Sequence, residues 1–125
     1  TMPEFIYHLA TKSLWEVNKE NYLPPTYMQD GFIHCTKEKD LIISVANNFY
    51  KQIDEPFICL LIDVSKLKSQ VKYESGADVG NISAENIKDK CLFPHIYGPI
   101  NIEAVVDELL VERDSEGTFL RIEYK

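Results

Sequence analysis

The three histidines, His8, His34 and His95, each stand beside an aromatic residue, in Tyr7-His8, Phe32-Ile33-His34 and His95-Ile96-Tyr97. Imidazole is the side chain that takes and gives a proton near neutral pH without help from its surroundings. Two of the three repeat one local frame. A β-branched and aromatic run ends at histidine, and a threonine able to cap a helix follows closely, Thr11 after His8 and Thr36 after His34. That frame sets an imidazole beside the unpaired N–H groups of a helix start, a place that favours anions. The plainer reading is a histidine bonded to a loop carbonyl. The repeat predicts that His8 and His34 face one cleft, with His95 as its third wall.

Glu74 ends the alternating run Val71-Lys72-Tyr73-Glu74. A carboxylate there can orient a ribose hydroxyl or act as a general base; the alternative is a solvated edge glutamate. Tyr22 and Tyr27 flank Pro24-Pro25 and could form a stacking wall or cover the core. Trp15 reads as core. Cys35 follows His34 directly, but adjacent strand residues point to opposite faces, so no thiol–imidazole pair is expected. Cys59 lies inside an apolar run and reads as inert. No metal site is expected, because no short spacing brings the histidines to acidic residues. No phosphate-cradling glycine-rich loop is present.

The elements that must position these groups follow from the pattern. Phe5–Leu9 reads as a strand and Thr11 to about Glu20 as a helix; residues 21–30 read as a loop, and Phe32–Cys35 as a second strand opened by Gly31. Leu41, Ile42, Val45, Ala46 and Phe49 recur at helical spacing after Thr36. Phe57–Ile62 is apolar on both faces, as a central strand is. Residues 63–69 read as a turn or short helix and 71–74 as a strand. Residues 75–90 read as a long surface loop, and Phe93–Pro99, with two prolines and a glycine, as a shaped loop. Strands over about 102–111 and 118–124 close the chain around a Glu116-Gly117 turn. Two early helices and about six strands predict an α+β fold with a mostly antiparallel sheet.

Composition bounds the rest. A length of 125 residues suits one domain, here taken as residues 1–125, and 45% apolar with 26% charged residues excludes disorder and fibrous architectures. Thirteen Lys and Arg against 20 Asp and Glu give a net charge of −7, which removes the electrostatic drive for bulk nucleic-acid binding. The two arginines, Arg113 and Arg121, both lie near the C-terminus. Three widely spaced cysteines predict reduced thiols and a cytoplasmic location. The acidic start lacks a signal-peptide pattern, no run is long enough for a membrane span, and Thr1 before Met2 reads as a vector-derived residue.

The phrases Ile6-Tyr7-His8-Leu9-Ala10, Trp15, Asp30-Gly31-Phe32-Ile33-His34-Cys35-Thr36, Leu60-Leu61-Ile62-Asp63, Tyr73-Glu74 and Phe93-Pro94-His95-Ile96-Tyr97-Gly98-Pro99 resemble the domain of unknown function 952 family, in order and over nearly the whole chain. The layout is also similar to ADP-ribosyltransferase-like proteins, including RNA 2′-phosphotransferases, which pair a Tyr-His strand with a hydrophobic-His-x-Ser/Thr strand. The resemblance implies a split, mostly antiparallel sheet and a cleft for NAD or an ADP-ribose-like ligand. By position, His8 would hold the ribose or adenosine side, His34 and Thr36 would line the cleft, and Glu74 would be the candidate catalytic glutamate. The 2′-phosphotransferase arginines have no counterpart here, so a retained ligand cleft is implied rather than that activity.

The expectation is therefore a small-molecule site with His8, His34 and Glu74 in catalytic positions. Tyr7, Thr11, Tyr27, Thr36, His95, Tyr97 and Gly98 would be its ligand-binding residues, for a nucleotide or phosphorylated small molecule and with transferase chemistry in view. The alternatives are a non-enzymatic interaction module presenting the Tyr22–Tyr27 and His95–Tyr97 loops, and a histidine-based hydrolase.

Overall fold

The doubly apolar run Phe57–Ile62 lies inside a four-stranded sheet, where burial on both faces rewards it. The computed structural model describes residues 4–84 and 92–124. Their order is β1 (Phe5–Thr11), α1 (Lys12–Val17), β2 (Asn21–Tyr22), α2 (Tyr27–Asp30), β3 (Ile33–His34), α3 (Lys39–Phe49), β4 (Phe57–Asp63), β5 (Gln70–Glu74), β6 (Phe93–Tyr97), β7 (Ile100–Asn101), β8 (Val105–Arg113) and β9 (Phe119–Glu123). Single 3₁₀ turns occupy Val64–Lys66 and Ile102–Ala104. The strands form a large sheet β1-β4-β8-β9, a small sheet β3-β6-β5 and a ribbon β2-β7, and all described pairs are antiparallel. The α+β class with a mostly antiparallel sheet is what the chain adopts. No helix among the described residues is long and apolar enough to cross a membrane.

Strand alternation divides the large sheet into two cores. Ile6 and Ala10 of β1 face one core with Trp15, Tyr22, Ile33, Leu60 and Ile96; Leu9 faces the other, with Ile42 and Ala46 of α3, Cys59, Leu109 and Phe119. Helix α3 thus covers one face of the large sheet, and the small sheet and ribbon cover the other.

Three expectations about the histidine frame are corrected. First, β1 does not end at His8. It pairs on through Ala10 and Thr11, opposite Ile58 and Phe57, so His8 is mid-strand. Second, neither threonine caps a helix. Thr11 Oγ1 makes no capping bond, α1 is only six residues long, and the residue before α3 is Glu38. Thr36 instead exchanges two backbone bonds with Tyr7, each 2.8 Å, which ties the small sheet to the edge of β1.

The third correction is that Phe93–Tyr97 is the central strand of the small sheet, not a loop. Pro94 is tolerated because of where it falls. The N and C=O of one strand residue point to the same side, and the Pro94 carbonyl accepts from Cys35 N at 3.0 Å. The missing N–H of Pro94 therefore faces Cys35, where β3 has already ended. The chain then leaves β6 and joins β1 one residue later.

Candidate functional site

The outer face of the small sheet is set by the same alternation. Phe32 and His34 lie two apart, as do Phe93, His95 and Tyr97, and the opposing strand contributes Lys72 and Glu74. His34 stands directly across from His95 in the register. Their rings meet edge to face with centroids 5.6 Å apart, and Phe32 stacks over both at 4.8 and 4.1 Å.

Each of these imidazoles has a carboxylate on one nitrogen. His34 Nε2 donates to Asp30 Oδ2 at 2.8 Å, and Asp30 also accepts from Gly80 N. His95 Nδ1 donates to Glu74 Oε1 at 2.9 Å, and Tyr97 Oη donates to the same oxygen at 2.6 Å. A carboxylate on one ring nitrogen fixes the tautomer and leaves the other nitrogen for chemistry. Burial pushes the His34 pKa down, against the opposing pull of Asp30. Tyr97 first, then His95, hold Glu74 below the usual carboxylate range.

His8 sits apart from that pair but touches it through the backbone. Its Nδ1 lies 2.6 Å from the His34 carbonyl, so Nδ1 carries the proton and Nε2 is a bare acceptor. His8 is 3% exposed, and burial lowers its pKa to about 4. Nε2 is buried without a partner, and so is Thr11 Oγ1.

Two cavities meet at this point. One, about 70 Å³, is lined by His8, Thr11, Pro24, Pro25, Tyr50 and Ile53 among others. It opens on the free edge of β1, where the pairing of Tyr7 with Thr36 directs the Leu9 N–H and C=O outward two residues later. The other, about 40 Å³, runs under α3 and is mostly apolar, with Ile42, Val45, Phe49, Phe93 and both His34 and His95 on its walls. Leu9, His34 and Tyr50 belong to both linings and form the partition between them. Among the described residues, neither lining contains a lysine or an arginine.

The structure therefore brings His8, His34 and Thr11 to one cavity, and His34, His95, Tyr7 and Thr36 to the next. The other expected residues stand elsewhere. Tyr27 packs against the first core. Glu74 and Tyr97 line neither cavity and act through His95. Gly98 packs on Ser69 in the turn from β6 to β7. Tyr22 is 1% exposed and lies edge-on to Trp15, so it offers no surface for a partner protein, nor does His95 at 2%. The sequence reading passed over Asp30, Phe32 and Tyr50. Asp30 precedes His34 by four residues, a helical contact spacing, but here a glycine at φ +83° breaks the helix between them.

Among solved structures, the crystal structure of protein CC0527 from Caulobacter crescentus is similar, with a TM-score of 0.72, 19% identity and 93% of each chain covered. The solution structure of the same protein aligns with a TM-score of 0.61 at 21% identity, over 90% of this chain and 89% of that one. At such identities the likeness concerns the fold. No curated protein matches the chain. The sequence profile of a family described as a protein of unknown function, DUF952, matches residues 9–108, and the chain belongs to that family.

Proposed function

We propose that this chain is a small-molecule-binding domain with an ADP-ribosyltransferase-like split-sheet architecture, and that the cavity at His8 takes the nucleoside part of an NAD- or ADP-ribose-like ligand. The observation that carries the reading is His8 Nε2, a buried acceptor lone pair without a partner on a cavity wall. Leaving such an atom unpaired costs on the order of 1–3 kcal/mol, which a ligand donor would recover. A neutral imidazole lone pair accepts from a hydroxyl or N–H and repels a phosphate oxygen. A ribose hydroxyl fits, with Thr11 Oγ1 as a second contact.

The absence of Lys and Arg from the lining among the described residues points the same way. Any phosphate of the ligand would lie outside, toward solvent. The split between large and small sheets, joined at Tyr7 and Thr36, supports the architectural part of the reading. Transferase chemistry through Glu74 draws no support from this cavity, since Glu74 is engaged by His95 and Tyr97.

The test is a titration of adenosine, AMP, ADP-ribose and NAD followed by backbone amide shifts. The expected result is saturable movement at Leu9, Thr11 and Tyr22, with adenosine binding at least as well as AMP. An absence of shifts at those residues at millimolar ligand defeats the proposal.

A further inference from the structure

We propose that His34 and His95 are a general acid–base pair that hydrolyses a neutral carboxylic ester whose apolar part fills the cavity beneath α3. This goes beyond the nucleoside reading and uses the cavity on the other side of the Leu9–His34–Tyr50 partition.

The geometry has the parts such a pair needs. Asp30 holds His34 through Nε2 and Glu74 holds His95 through Nδ1, so the nitrogens left for chemistry are His34 Nδ1 and His95 Nε2. The rings touch edge to face with centroids 5.6 Å apart, so one substrate group lying beside them is within reach of both. Phe32 stacks on the rings but is not part of the cavity lining, and so shields the pair from the opposite side. The walls that would take the substrate are Ile42, Val45, Phe49, Val79 and Phe93.

The substrate class follows from charge and magnitude. Among the described residues no cation lines the cavity, and two carboxylates stand behind the imidazoles, so an anionic phosphodiester is disfavoured. General acid–base catalysis contributes roughly 10²–10⁴-fold, enough for an ester and little for an unactivated amide. Cys35 shares the cavity, but burial holds its thiol well above the ordinary value, so water is the nucleophile.

In the step, His34 Nδ1 takes a proton from water as the water oxygen bonds to the ester carbonyl carbon. The tetrahedral intermediate then collapses, the bond from carbon to the alkoxy oxygen breaks, and that oxygen receives a proton from Nε2 of His95, which enters the step as the imidazolium with its Nδ1–H on Glu74. Ester and water become acid and alcohol, and the two rings exchange the transferred proton with solvent. Burial of His34 favours its neutral, basic form. The charged and titratable groups facing the pair are Asp30, Glu74, Lys72, Tyr97, His8, Tyr7 and Cys35.

The experiment measures hydrolysis of p-nitrophenyl acetate, p-nitrophenyl butyrate and bis(p-nitrophenyl) phosphate by the whole chain. Expected are a preference for butyrate, a bell-shaped pH profile, and losses of 10²–10⁴-fold in both His34→Gln and His95→Gln. Asp30→Asn should lose less and move the acid limb of the profile to lower pH, because the base His34 loses the pull of Asp30, which a merely structural role would not do. A folded His34→Gln or His95→Gln that keeps the full rate overturns the proposal, as does preference for the phosphodiester. If both variants fail to fold, the unaltered protein decides: a bell supports the pair, and a rate rising steadily with hydroxide overturns it.

Discussion

His8 donates its Nδ1–H to the carbonyl of His34 at 2.6 Å, across 26 positions of sequence. The bond ties mid-β1 in the large sheet to the end of β3 in the small one, beside the backbone exchange of Tyr7 with Thr36. It also decides the tautomer of His8, and through that the chemistry its cavity can accept. A donor is wanted there, not an anion.

That arrangement sets a pH dependence. His8 has its pKa lowered by burial from 6.5 to about 4 in the folded chain. Below pH 6.5 the unfolded chain binds the proton first, so the stabilisation is fully present above pH 6.5 and is lost as pH falls toward 4. The loss amounts to about 3 kcal/mol by pH 4. His34 is shifted in the same direction. Urea unfolding of the native chain should therefore weaken over this window more than that of His8→Gln, which has no imidazole to charge. A His8 ring that titrates near 6.5 by NMR refutes the assignment.

What the sequence disclosed here, and what it hid, divides along chain distance. Phe57–Ile62 announced a central strand, and Leu41 to Phe49 announced a helix with one buried face, because those patterns are local. The shared cleft for His8 and His34 was expected from a strand-to-capped-helix frame that the structure lacks, and the carboxylates behind His34 and His95 gave no local signal. Glu74 reaches His95 only because β5 pairs with β6 in one register. The prolines of Phe93–Pro99 signalled a loop, and the signal failed because Pro94 sits where its missing N–H is not needed by β5. Arg113, placed by sequence only near the C-terminus, donates to the carbonyls of Glu55, Lys51 and Gly117 and stacks on Phe119.

Gly98, expected at the ligand, has a different burden. Its φ is +140°, and a Cβ there would stand 2.4 Å from Ser69 Oγ, which donates to the Pro99 carbonyl at 2.7 Å. Gly98→Ala should cost about 1–3 kcal/mol through strain and the displaced serine. Urea denaturation measures that loss. The adenosine titration of the folded variant should be unchanged, and a variant that loses binding at full stability would return Gly98 to the site.

The thiols give a third expectation. Cys35 and Cys59 are 4% and 0% exposed, and burial raises the Cys59 pKa to about 12. Neither should react with Ellman's reagent in the native chain at pH 7.5, and both should react at once in guanidinium. Rapid native labelling at Cys35, located by mass spectrometry, would show that the cavity wall opens and that water has a rival nucleophile.

The last expectation concerns ligand charge at the His8 cavity. Ile53 stands on its rim, 37% exposed, and the lining carries no cation among the described residues. If the nucleoside lies inside with its phosphate directed outward, a positive charge at the rim would meet that phosphate at the water boundary. At an effective dielectric near that of a protein surface, a unit pair a few ångströms apart is worth about 1–3 kcal/mol before screening and side-chain ordering. Ile53→Lys should therefore strengthen AMP several-fold and leave adenosine nearly unchanged. The gain should shrink between 20 mM and 500 mM salt, because a rim contact is screened where a buried one is not. The partly exposed isoleucine can be exchanged at small cost to the fold, so the comparison stays with the folded protein. Equal strengthening of both ligands would place the phosphate away from Ile53.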